Sequence, residues 1–307
     1  MSTCRPEPAA APSYNPGTVM PARDFKRFSE YIYDQCGLNL STVKRTMLTL
    51  RLLKRMRILG MSSFSQYYEF VISPEGQAEE LVHMIDVVTT NKTDFFREPK
   101  HFDFLTNKAL PELMQNKPAG GPRNLNIWSA GCSSGEEPYT LAMVLGEYFN
   151  KDAAGGFSIL ATDISTRVLE IGRQGIYPGD AVEPIPFGLK TKYLMKGKDF
   201  RKGLFRIVPE LRSRVHFQRL NLLEGDGFGI SAPMDIIFCR NVIIYFDRQT
   251  QGRLFGKFYD QLIPGGYMFI GHSETLHGVY DRFRPVSVSV YRKPECNTQP
   301  GKAGNEN

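Results

Sequence analysis

Two adjacent carboxylates, Glu136 and Glu137, end a loop of small residues in LNIWSAGCSSGEEPYTL, residues 125–141. The apolar residues before the loop are dense enough for a buried strand. Pro138 stands where the first turn of a helix tolerates a missing N–H, and the apolar residues after it recur at helical spacing. The pattern predicts a strand, a glycine-containing loop and a helix, the unit that begins a nucleotide-binding half of a doubly wound sheet.

The two acids restrict what this loop can bind. A pyrophosphate is bound by backbone N–H groups at a helix N-terminus with no anion nearby, so Glu136 and Glu137 would repel it. They suit instead a cationic ligand rich in hydroxyl groups, such as S-adenosylmethionine, which has an ammonium, a sulfonium and a ribose. The loop also lacks both G-x-G-x-x-G and G-K-[ST]. The alternative is an ordinary strand–helix turn whose acids only stabilise the helix N-terminus.

A third acid, Asp163, follows the next apolar run, FSILAT. An acid at the end of the second strand of such a unit commonly accepts hydrogen bonds from ribose hydroxyls. The alternative is that Asp163 caps the helix predicted in STRVLEIGRQG. The carboxyl ends of parallel strands open onto one crevice, so Asn221 and the run from Arg240 to Tyr245 are expected beside the loop.

Methyl transfer from a sulfonium is an in-line displacement that requires placement of the acceptor. A glutamate side chain, with an ordinary pKa of about 4.3, is already ionised at neutral pH and needs no general base. A bidentate cation and a hydroxyl would aim one carboxylate oxygen at the methyl group, and Arg97 and Tyr245 are expected in these roles. A surface ion pair of Arg97 with Asp94 or Glu98 is the alternative for this arginine. His272 could act as a base, although a structural role in its loop is commoner.

The composition is that of a soluble globular protein, with 41% hydrophobic and 23% charged residues in a chain of 307. No apolar run approaches the ~20 residues of a membrane span, and the N-terminus lacks the apolar segment of a secretory signal. Five widely spaced cysteines without C-x-x-C argue against disulfides and zinc, and fit a reducing cytosol. The net charge of +6 permits an acidic partner, either nucleic acid or an anionic protein surface.

Changes in composition and periodicity divide the chain into domains. Residues 1–20 and 294–307 are polar or rich in Pro and Ala, which predicts disordered tails. Helical periodicity over residues 21–90 predicts a small all-helical domain. Residues 91–293 predict an α/β domain with a doubly wound, mostly parallel sheet and an antiparallel β-subdomain inserted at about residues 176–214. A single edge strand, VSVSVY, is predicted to end the sheet.

The second helical segment, LSTVKRTMLTLRLLKRMRILG, is strongly basic and contains no acid. At about 100° per residue, Lys44, Arg51 and Arg55 fall on one stripe of this helix. With Lys54, they are predicted to form a docking surface for an acidic partner. A solvated polar face without a partner is the alternative.

Seven motifs occur in order between about residues 24 and 292: NKTDFFRE, WSAGCSSGEEPYTLAM, ATDIS, IGRQGIY, LNLLE, FCRNVIIYFD and GHSETL. Together they resemble the CheR-type chemotaxis receptor methyltransferases. The resemblance implies S-adenosylmethionine-dependent esterification of glutamates on the cytoplasmic helical region of methyl-accepting chemotaxis receptors. S-adenosylhomocysteine would be the product, and the resemblance implies no metal, no nucleic acid and no insertion into the membrane. It also implies a helical N-terminal domain, a doubly wound catalytic domain and the inserted β-subdomain.

The resemblance also implies roles for particular residues. Expected cofactor contacts are Asn91, Thr93, Arg97, Glu137, Asp163, Asn221, Leu222, Arg240 and Asn241. Arg97 and Tyr245 match residues given substrate-orienting roles, and the basic helix matches one thought to lie on the acidic methylation helices of the receptor. Cys132 departs from the small residue expected in the loop and should be inert. Residues 197–203 lie where some members bind the C-terminal peptide of a receptor, but the pattern there varies and leaves such tethering open.

Two rival functions fit parts of the sequence. The basic charge would suit a nucleic-acid methyltransferase, but amino-methylating DNA enzymes need [DN]-P-P-[FY] after the fourth strand, where this chain has CRNVIIYF. The second rival is a protein that binds the cofactor as a signal without catalysis. Arg97 and Tyr245 argue against it, because a binder needs no groups that orient an acceptor.

Overall fold

The computed structural model describes residues 19–115, 123–151, 155–197 and 203–295. The predicted disordered tails therefore lie almost wholly outside the described residues, as does part of the segment suggested for receptor tethering. None of the helices in the described ranges is both long enough and apolar enough to cross a bilayer.

The N-terminal part of the described chain is helical. Its elements are α1 (Ala22–Cys36), a 3-10 turn (Thr42–Lys44), α2 (Arg45–Ile58), α3 (Phe64–Ile72), α4 (Pro74–Glu79) and α5 (Leu81–Val88). Gly37 ends α1 in the left-handed conformation, with φ of 70°, and the side chain of Ser63 caps α3 by accepting from the Gln66 N–H. The apolar faces of these helices meet around side chains such as Phe28, Leu52 and Tyr67, which are fully buried.

The rest of the chain alternates strands and helices. The strands are β1 (Arg123–Ala130), β2 (Gly155–Asp163), β3 (Ile176–Pro178), β4 (Leu194–Lys196), β5 (Leu204–Ile207), β6 (Val215–Arg219), β7 (Met234–Cys239), β8 (Leu262–Ile270), β9 (Arg284–Ser287) and β10 (Val290–Arg292). The helices are α6 (Lys100–Phe104), α7 (Leu110–Gln115), α8 (Glu136–Lys151), α9 (Thr166–Gln174), α10 (Phe187–Tyr193), α11 (Pro209–Arg212) and α12 (Arg248–Gln261). A π-helical segment (Leu105–Ala109) joins α6 to α7.

Within the described residues, the main sheet has seven strands in the order β6-β2-β1-β7-β8-β10-β9. Strands β6, β2, β1, β7 and β8 are parallel, and β10 runs antiparallel between β8 and β9. The strand order reverses between β1 and β7, which is where open α/β sheets place a ligand crevice. A separate antiparallel sheet, β3-β5-β4, forms the insertion. The doubly wound fold with an antiparallel β-subdomain is thus confirmed.

The central strands are buried on both faces, because successive side chains of a strand point to opposite sides. Ile127 and Trp128 in β1 accordingly belong to the cores on the two faces of the sheet. The indole N–H of Trp128 donates to Thr162 Oγ1 at 2.9 Å, so this buried polar group is satisfied. Every residue of β7 is buried, as the apolar run MDIIFC predicts.

The end of the sheet differs from the prediction of one edge strand in VSVSVY. The segment is split between β9 and β10, with Ser289 at φ of 57° in the connection and a register shift between Val290 and Tyr291. The alternation of Val and Ser continues through the turn, so sequence periodicity gives no sign of it. The edge of the sheet is therefore β9, and β10 is an interior strand.

The N-terminal helical domain packs against the carboxyl edge of the main sheet. The Asn39 N–H donates to the Tyr245 carbonyl at 3.0 Å, and the Asn221 side chain donates to the Gln35 carbonyl at 2.8 Å. Thr166 at the start of α9 donates to a carboxylate oxygen of α5 at 2.9 Å. These contacts make the helical domain one wall of the crevice at the strand ends.

Candidate active site

A crevice lies at the carboxyl ends of β1, β2, β6 and β7 and holds about 1000 Å³ of space, part of it open to solvent. The residues that the sequence assigned to cofactor binding or catalysis all line it: Asn91, Thr93, Arg97, Glu137, Asp163, Asn221, Leu222, Arg240, Asn241 and Tyr245. The structure therefore brings the predicted residues together. What each one does there stays a prediction.

Three consecutive backbone N–H groups of the loop after β1 are used within the protein. Gly131 and Cys132 both donate to the Thr162 carbonyl, at 2.8 and 2.9 Å, and Ser133 donates to the Asp163 carboxylate at 2.9 Å. A phosphate-binding loop directs such groups at its ligand instead. This arrangement supports the inference from the two acids that the loop does not bind a phosphate.

The loops that follow β1 and β7 approach each other closely. Gly131 has φ of 79°, and a Cβ atom at this position would stand 2.4 Å from Cγ2 of Val242. A side chain here would therefore be opposed both by backbone strain and by the neighbouring loop. The glycine allows the two strand ends to meet at the reversal of strand order.

Four residues other than glycine have a positive φ in or beside the crevice: Phe96 at 55°, Glu98 at 57°, Ser133 at 49° and Asn241 at 59°. The left-handed conformation costs an L-residue about 1–2 kcal/mol. It persists where surrounding contacts enforce it, and such positions concentrate at functional sites. The strain therefore marks the same crevice as the polar side chains do.

Asp163 is not the N-cap of α9, because that position is occupied by Ser165. One carboxylate oxygen accepts from the N–H of Ser165, the N-cap residue of α9, and the other accepts from Ser133, both at 2.9 Å. Asp163 nevertheless lines the crevice, and each carboxylate oxygen has a further lone pair for a ligand hydroxyl. Burial raises the pKa of Asp163, and the backbone N–H bonds oppose this shift.

The two acids of the loop face different surroundings. Glu137 lines the crevice, accepts from Ser129 Oγ at 2.7 Å and lies 3.3 Å from the Arg240 guanidinium. Burial raises the pKa of Glu137, whereas Arg240 acts to lower it. Glu136 accepts from Ser134 Oγ at 2.7 Å at the start of α8, so it follows the alternative of an acid that only stabilises the helix N-terminus.

The proposed substrate-orienting residues stand at the same crevice. Among the described residues Arg97 forms no ion pair with Asp94 or Glu98, so that alternative is wrong, and the Glu98 carboxylate is instead 3.2 Å from Arg240. Tyr245 lies near α2, and the Lys44 ammonium is 5.5 Å from the centroid of its ring. Lys44 and Tyr245 therefore lie on the same side of the crevice.

The predicted docking surface is only partly available. Arg55 donates to the carboxylate of Glu80, with 2.8 Å between Nε and Oε1, and Arg51 donates to the Val88 carbonyl at 2.6 Å. The expectation of a basic face without compensating acids fails at Arg55, which is paired with Glu80, whereas Arg51 binds the carbonyl oxygens of Val88 and Thr89. The docking role of both arginines stays a prediction. Lys54 is exposed and remains, with Lys44, a predicted docking residue.

Two residues singled out by the sequence have little access to the crevice chemistry. Cys132 is buried, and burial together with the neighbouring carboxylates raises the pKa of its thiol, which agrees with the expectation that it is inert. His272 is exposed, and its ring stacks edge-on against that of His101, with 4.8 Å between the centroids. His272 is not among the residues that line the crevice, which favours a structural role in its loop over a role as a base.

Sequence reasoning missed the part of the crevice wall that comes from the helical domain. Cys36, Leu38, Thr89 and Thr90 line the crevice from the ends of α1 and α5. No local pattern marks them, because only the packing of the two domains places them there. Glu98 was also missed as a site residue, although it ends the motif NKTDFFRE.

The order of the parallel strands, with a crevice at their carboxyl ends, agrees with the fold of an S-adenosylmethionine-dependent methyltransferase. The family model "CheR methyltransferase, SAM binding domain" matches residues 91–292, and "CheR methyltransferase, all-alpha domain" matches residues 23–89. The chain belongs to the CheR family of chemotaxis methyltransferases.

Curated relatives support this assignment. A chemotaxis protein methyltransferase of Borreliella burgdorferi is 43% identical over 256 residues, which cover 83% of this chain and 89% of the relative. The chemotaxis protein methyltransferase of Escherichia coli is 38% identical over 267 residues, covering 87% and 89%. Among solved structures, TrmN from Thermus thermophilus is 15% identical over 61% of this chain and 47% of its own, with a TM-score of 0.36, too weak a likeness to bear on function.

Proposed function

We propose that this protein transfers a methyl group from S-adenosylmethionine to glutamate side chains of methyl-accepting chemotaxis receptors, forming glutamate methyl esters and S-adenosylhomocysteine. One observation supports the reaction above others. A single crevice combines two acids suited to a cationic donor, Glu137 and Asp163, with an arginine and a phenol suited to a carboxylate, Arg97 and Tyr245. Membership of the chemotaxis family supports the receptor as substrate.

The residues of the crevice fit the cofactor group by group. Asp163 would accept hydrogen bonds from ribose hydroxyls, and Glu137 would favour the cationic part of the ligand. Asn221 and Leu222 would flank the adenine. The Asn221 side-chain amide already donates to the Gln35 carbonyl at 2.8 Å, so Asn221 would contact the adenine through its backbone or by packing. The N–H groups of Gly131, Cys132 and Ser133 are occupied within the protein, which suits a ligand without phosphate.

The chain's own part in the reaction would be placement. S-adenosylmethionine, when bound, supplies a methyl group activated by its sulfonium. The Arg97 guanidinium would hold the acceptor carboxylate and the Tyr245 hydroxyl would fix which oxygen faces the methyl group. A glutamate acceptor is ionised at neutral pH, so no base is needed to remove a proton. The position of His272 outside the lining residues is consistent with this requirement.

The receptor would approach along the side of the crevice formed by the helical domain. Lys54 is exposed on α2 and Lys44 lies beside Tyr245, so both could attract acidic helices of the cytoplasmic part of a receptor. The β-subdomain would offer a second contact for a receptor C-terminal peptide in the manner of some relatives. The enzyme would then act in the cytoplasm, next to membrane receptors.

The test is transfer of labelled methyl groups from S-adenosylmethionine to three acceptors: a receptor cytoplasmic fragment, the same fragment with its acceptor glutamates changed to glutamine, and duplex DNA. We expect label in the first fragment only, released as methanol by mild base, because carboxyl methyl esters are labile to base. Label in DNA, or label in the receptor that resists base, would contradict the proposal. Binding of the cofactor without transfer would indicate a non-catalytic binder.

A further inference from the structure

The turn that presents Arg97 to the crevice is strained on both sides. Phe96 and Glu98, the residues before and after it, have φ values of 55° and 57°. Each costs about 1–2 kcal/mol in the left-handed conformation, so specific contacts must hold the turn in place. The Phe96 N–H donates to Thr140 Oγ1 at 3.1 Å, which fixes the first side of the turn to α8.

Arg240 holds the other side of the turn. Its guanidinium donates to the Arg97 carbonyl, and it lies 3.2 Å from Oε2 of Glu98. The Arg240 Nε also donates to that same Glu98 oxygen at 3.3 Å. The Arg240 side chain, directly after β7, thus binds both the carbonyl group of Arg97 and the carboxylate of Glu98.

The same guanidinium reaches the cofactor side of the crevice. Arg240 lies 3.3 Å from Oε2 of Glu137, and the Arg240 side chain is only 2% exposed. A buried cation requires compensating charge, and these two carboxylates supply it. Glu98, Arg240 and Glu137 therefore form a continuous chain of ion pairs between the turn of Arg97 and the loop after β1. We call these three residues the Glu98–Arg240–Glu137 clamp.

Arg97 depends on this backbone support. Within the part of the chain that the structure describes, its side chain donates to one acceptor, the neutral Lys92 carbonyl on the same loop, at 3.2 Å. That one contact leaves most of the guanidinium donors for an incoming carboxylate. The direction of the Arg97 side chain is therefore set mainly by the turn from which it projects.

The surroundings of Glu98 favour an ion pair over a metal ion. Glu98, His101 and His272 each offer a ligand atom, and these atoms lie within 4.8 Å of one another. A divalent cation there would face the Arg240 guanidinium, which is 3.2 Å from Oε2 of Glu98. The backbone N–H of His272 donates to Oε1 of Glu98 at 3.3 Å. Burial alone would raise the pKa of Glu98, but Arg240 and this N–H lower it overall, so the carboxylate stays charged.

We propose that Glu98 is a positioning residue for methyl transfer: through Arg240 it holds the strained turn of Arg97 at a fixed distance from the cofactor side of the crevice. The proposal rests on the proposed function, in which Arg97 orients the acceptor carboxylate. Its physical basis is that in-line transfer tolerates little misplacement, since a shift of about 1 Å can lower a rate about 100-fold. Glu98 itself is not among the residues that line the crevice.

The test is a double-mutant cycle with Glu98→Gln and Arg97→Ala. Glu98→Gln keeps the shape of the side chain and removes its charge, so kcat on a receptor fragment should fall about 10- to 100-fold, with a much smaller change in affinity for S-adenosylhomocysteine. In the Arg97→Ala background, the same substitution should cause no further loss of kcat, because Glu98 acts through Arg97. Full additivity, or normal turnover of Glu98→Gln, would overturn the proposal.

A second measurement separates this proposal from the proposed function. Amide hydrogen exchange of residues 95–98, measured without receptor, should become faster in Glu98→Gln and stay unchanged in the control Glu170→Gln, which removes an exposed carboxylate of α9. If the wild-type protein transfers no methyl group to receptors, the proposed function fails, while exchange still reports on the clamp. Unchanged exchange in Glu98→Gln would show that Glu98 does not hold the turn.

Discussion

The guanidinium of Arg55 makes two hydrogen bonds to the carboxylate of Glu80, one of them 2.8 Å long between Nε and Oε1. Glu80 is 3% exposed, and the Tyr67 hydroxyl donates to it at 2.8 Å. This one acid, between α4 and α5, therefore joins α2 and α3. Part of the basic stripe of α2 thus stabilises the helical domain and is not free to meet a partner.

Replacement of Arg55 should therefore affect stability first. Arg55→Ala would leave the buried Glu80 carboxylate without its cation, which should lower the free energy of unfolding by about 3–5 kcal/mol. The neighbouring change Lys54→Ala, at an exposed position, should alter it by less than about 0.5 kcal/mol. Chemical denaturation of both variants measures the difference. Equal stabilities would show that the Arg55–Glu80 pair contributes little.

Lys54 is the better probe of receptor docking, because it is exposed on the same helix. Lys54→Glu should raise the KM for a receptor fragment, leave the affinity for S-adenosylhomocysteine unchanged, and lose its effect at high salt as charges are screened. Lys26→Glu reverses an exposed charge on α1 and serves as the control. If both variants raise KM alike, the effect is one of net charge, and α2 is not the docking site.

Asp163 should contribute to cofactor affinity. Asp163→Asn keeps one oxygen acceptor but removes the charge, and loss of a hydrogen bond to a ligand hydroxyl should weaken binding by about 1–3 kcal/mol. Calorimetric titration with S-adenosylhomocysteine measures this change. Asp163 also accepts from the N–H groups of Ser133 and Ser165, so the substitution could affect folding. The free energy of unfolding of Asp163→Asn must therefore be compared with that of the wild type. Unchanged affinity in a folded variant would refute the ribose role.

The crevice acids should make donor binding depend on pH. Burial raises the pKa values of Glu137 and Asp163, so both carboxylates lose their charge at a higher pH than exposed acids do. As pH falls through the raised pKa of Glu137, its attraction to the sulfonium is lost, whereas protonation of Asp163 affects the ribose that both ligands share. Affinity for S-adenosylmethionine should therefore fall more steeply than affinity for S-adenosylhomocysteine, which lacks that charge. Titrations of both ligands from neutral to acidic pH test this, and parallel curves would contradict it.

His101 should make stability depend on pH. Burial, together with Arg240, lowers the pKa of His101 from 6.5 to about 4, while Glu98 acts to raise it and His272 to lower it. The unfolded chain binds a proton in this range and the folded protein does not, so the free energy of unfolding falls as pH drops from about 6.5 toward 4. The slope for one proton is about 1.4 kcal/mol per pH unit.

The matched variants for this effect are His101→Phe and His277→Phe. The Nδ1 atom of His101 lies 3.4 Å from Oε2 of Glu98, so phenylalanine removes this one contact together with the titratable group. Denaturation curves at several pH values should show a weaker acid dependence in His101→Phe than in the wild type. His277 is exposed, and its replacement should leave the dependence unchanged. Identical slopes in all three proteins would show that His101 does not titrate as described.

The sequence by itself determined most of the elements and which residues meet at the crevice. The apolar run of β7 and the loop before Glu137 follow from local pattern, since a strand buried on both faces must be apolar and acids beside a loop disfavour phosphate. Strand ends converge by topology, so Asp163 and Arg240 could be placed at one crevice before any coordinates were known.

Only the tertiary structure decided which charged side chains are free and which are paired. Arg55 and Lys54 are adjacent in the sequence and equally basic, yet Arg55 is bound to Glu80, between α4 and α5, and Lys54 is exposed. The partner of Glu98 is likewise Arg240, far away along the chain. Periodicity reports the face of a helix or strand but not the side chain that packs against it, so long-range ion pairs are settled only when the domains come together.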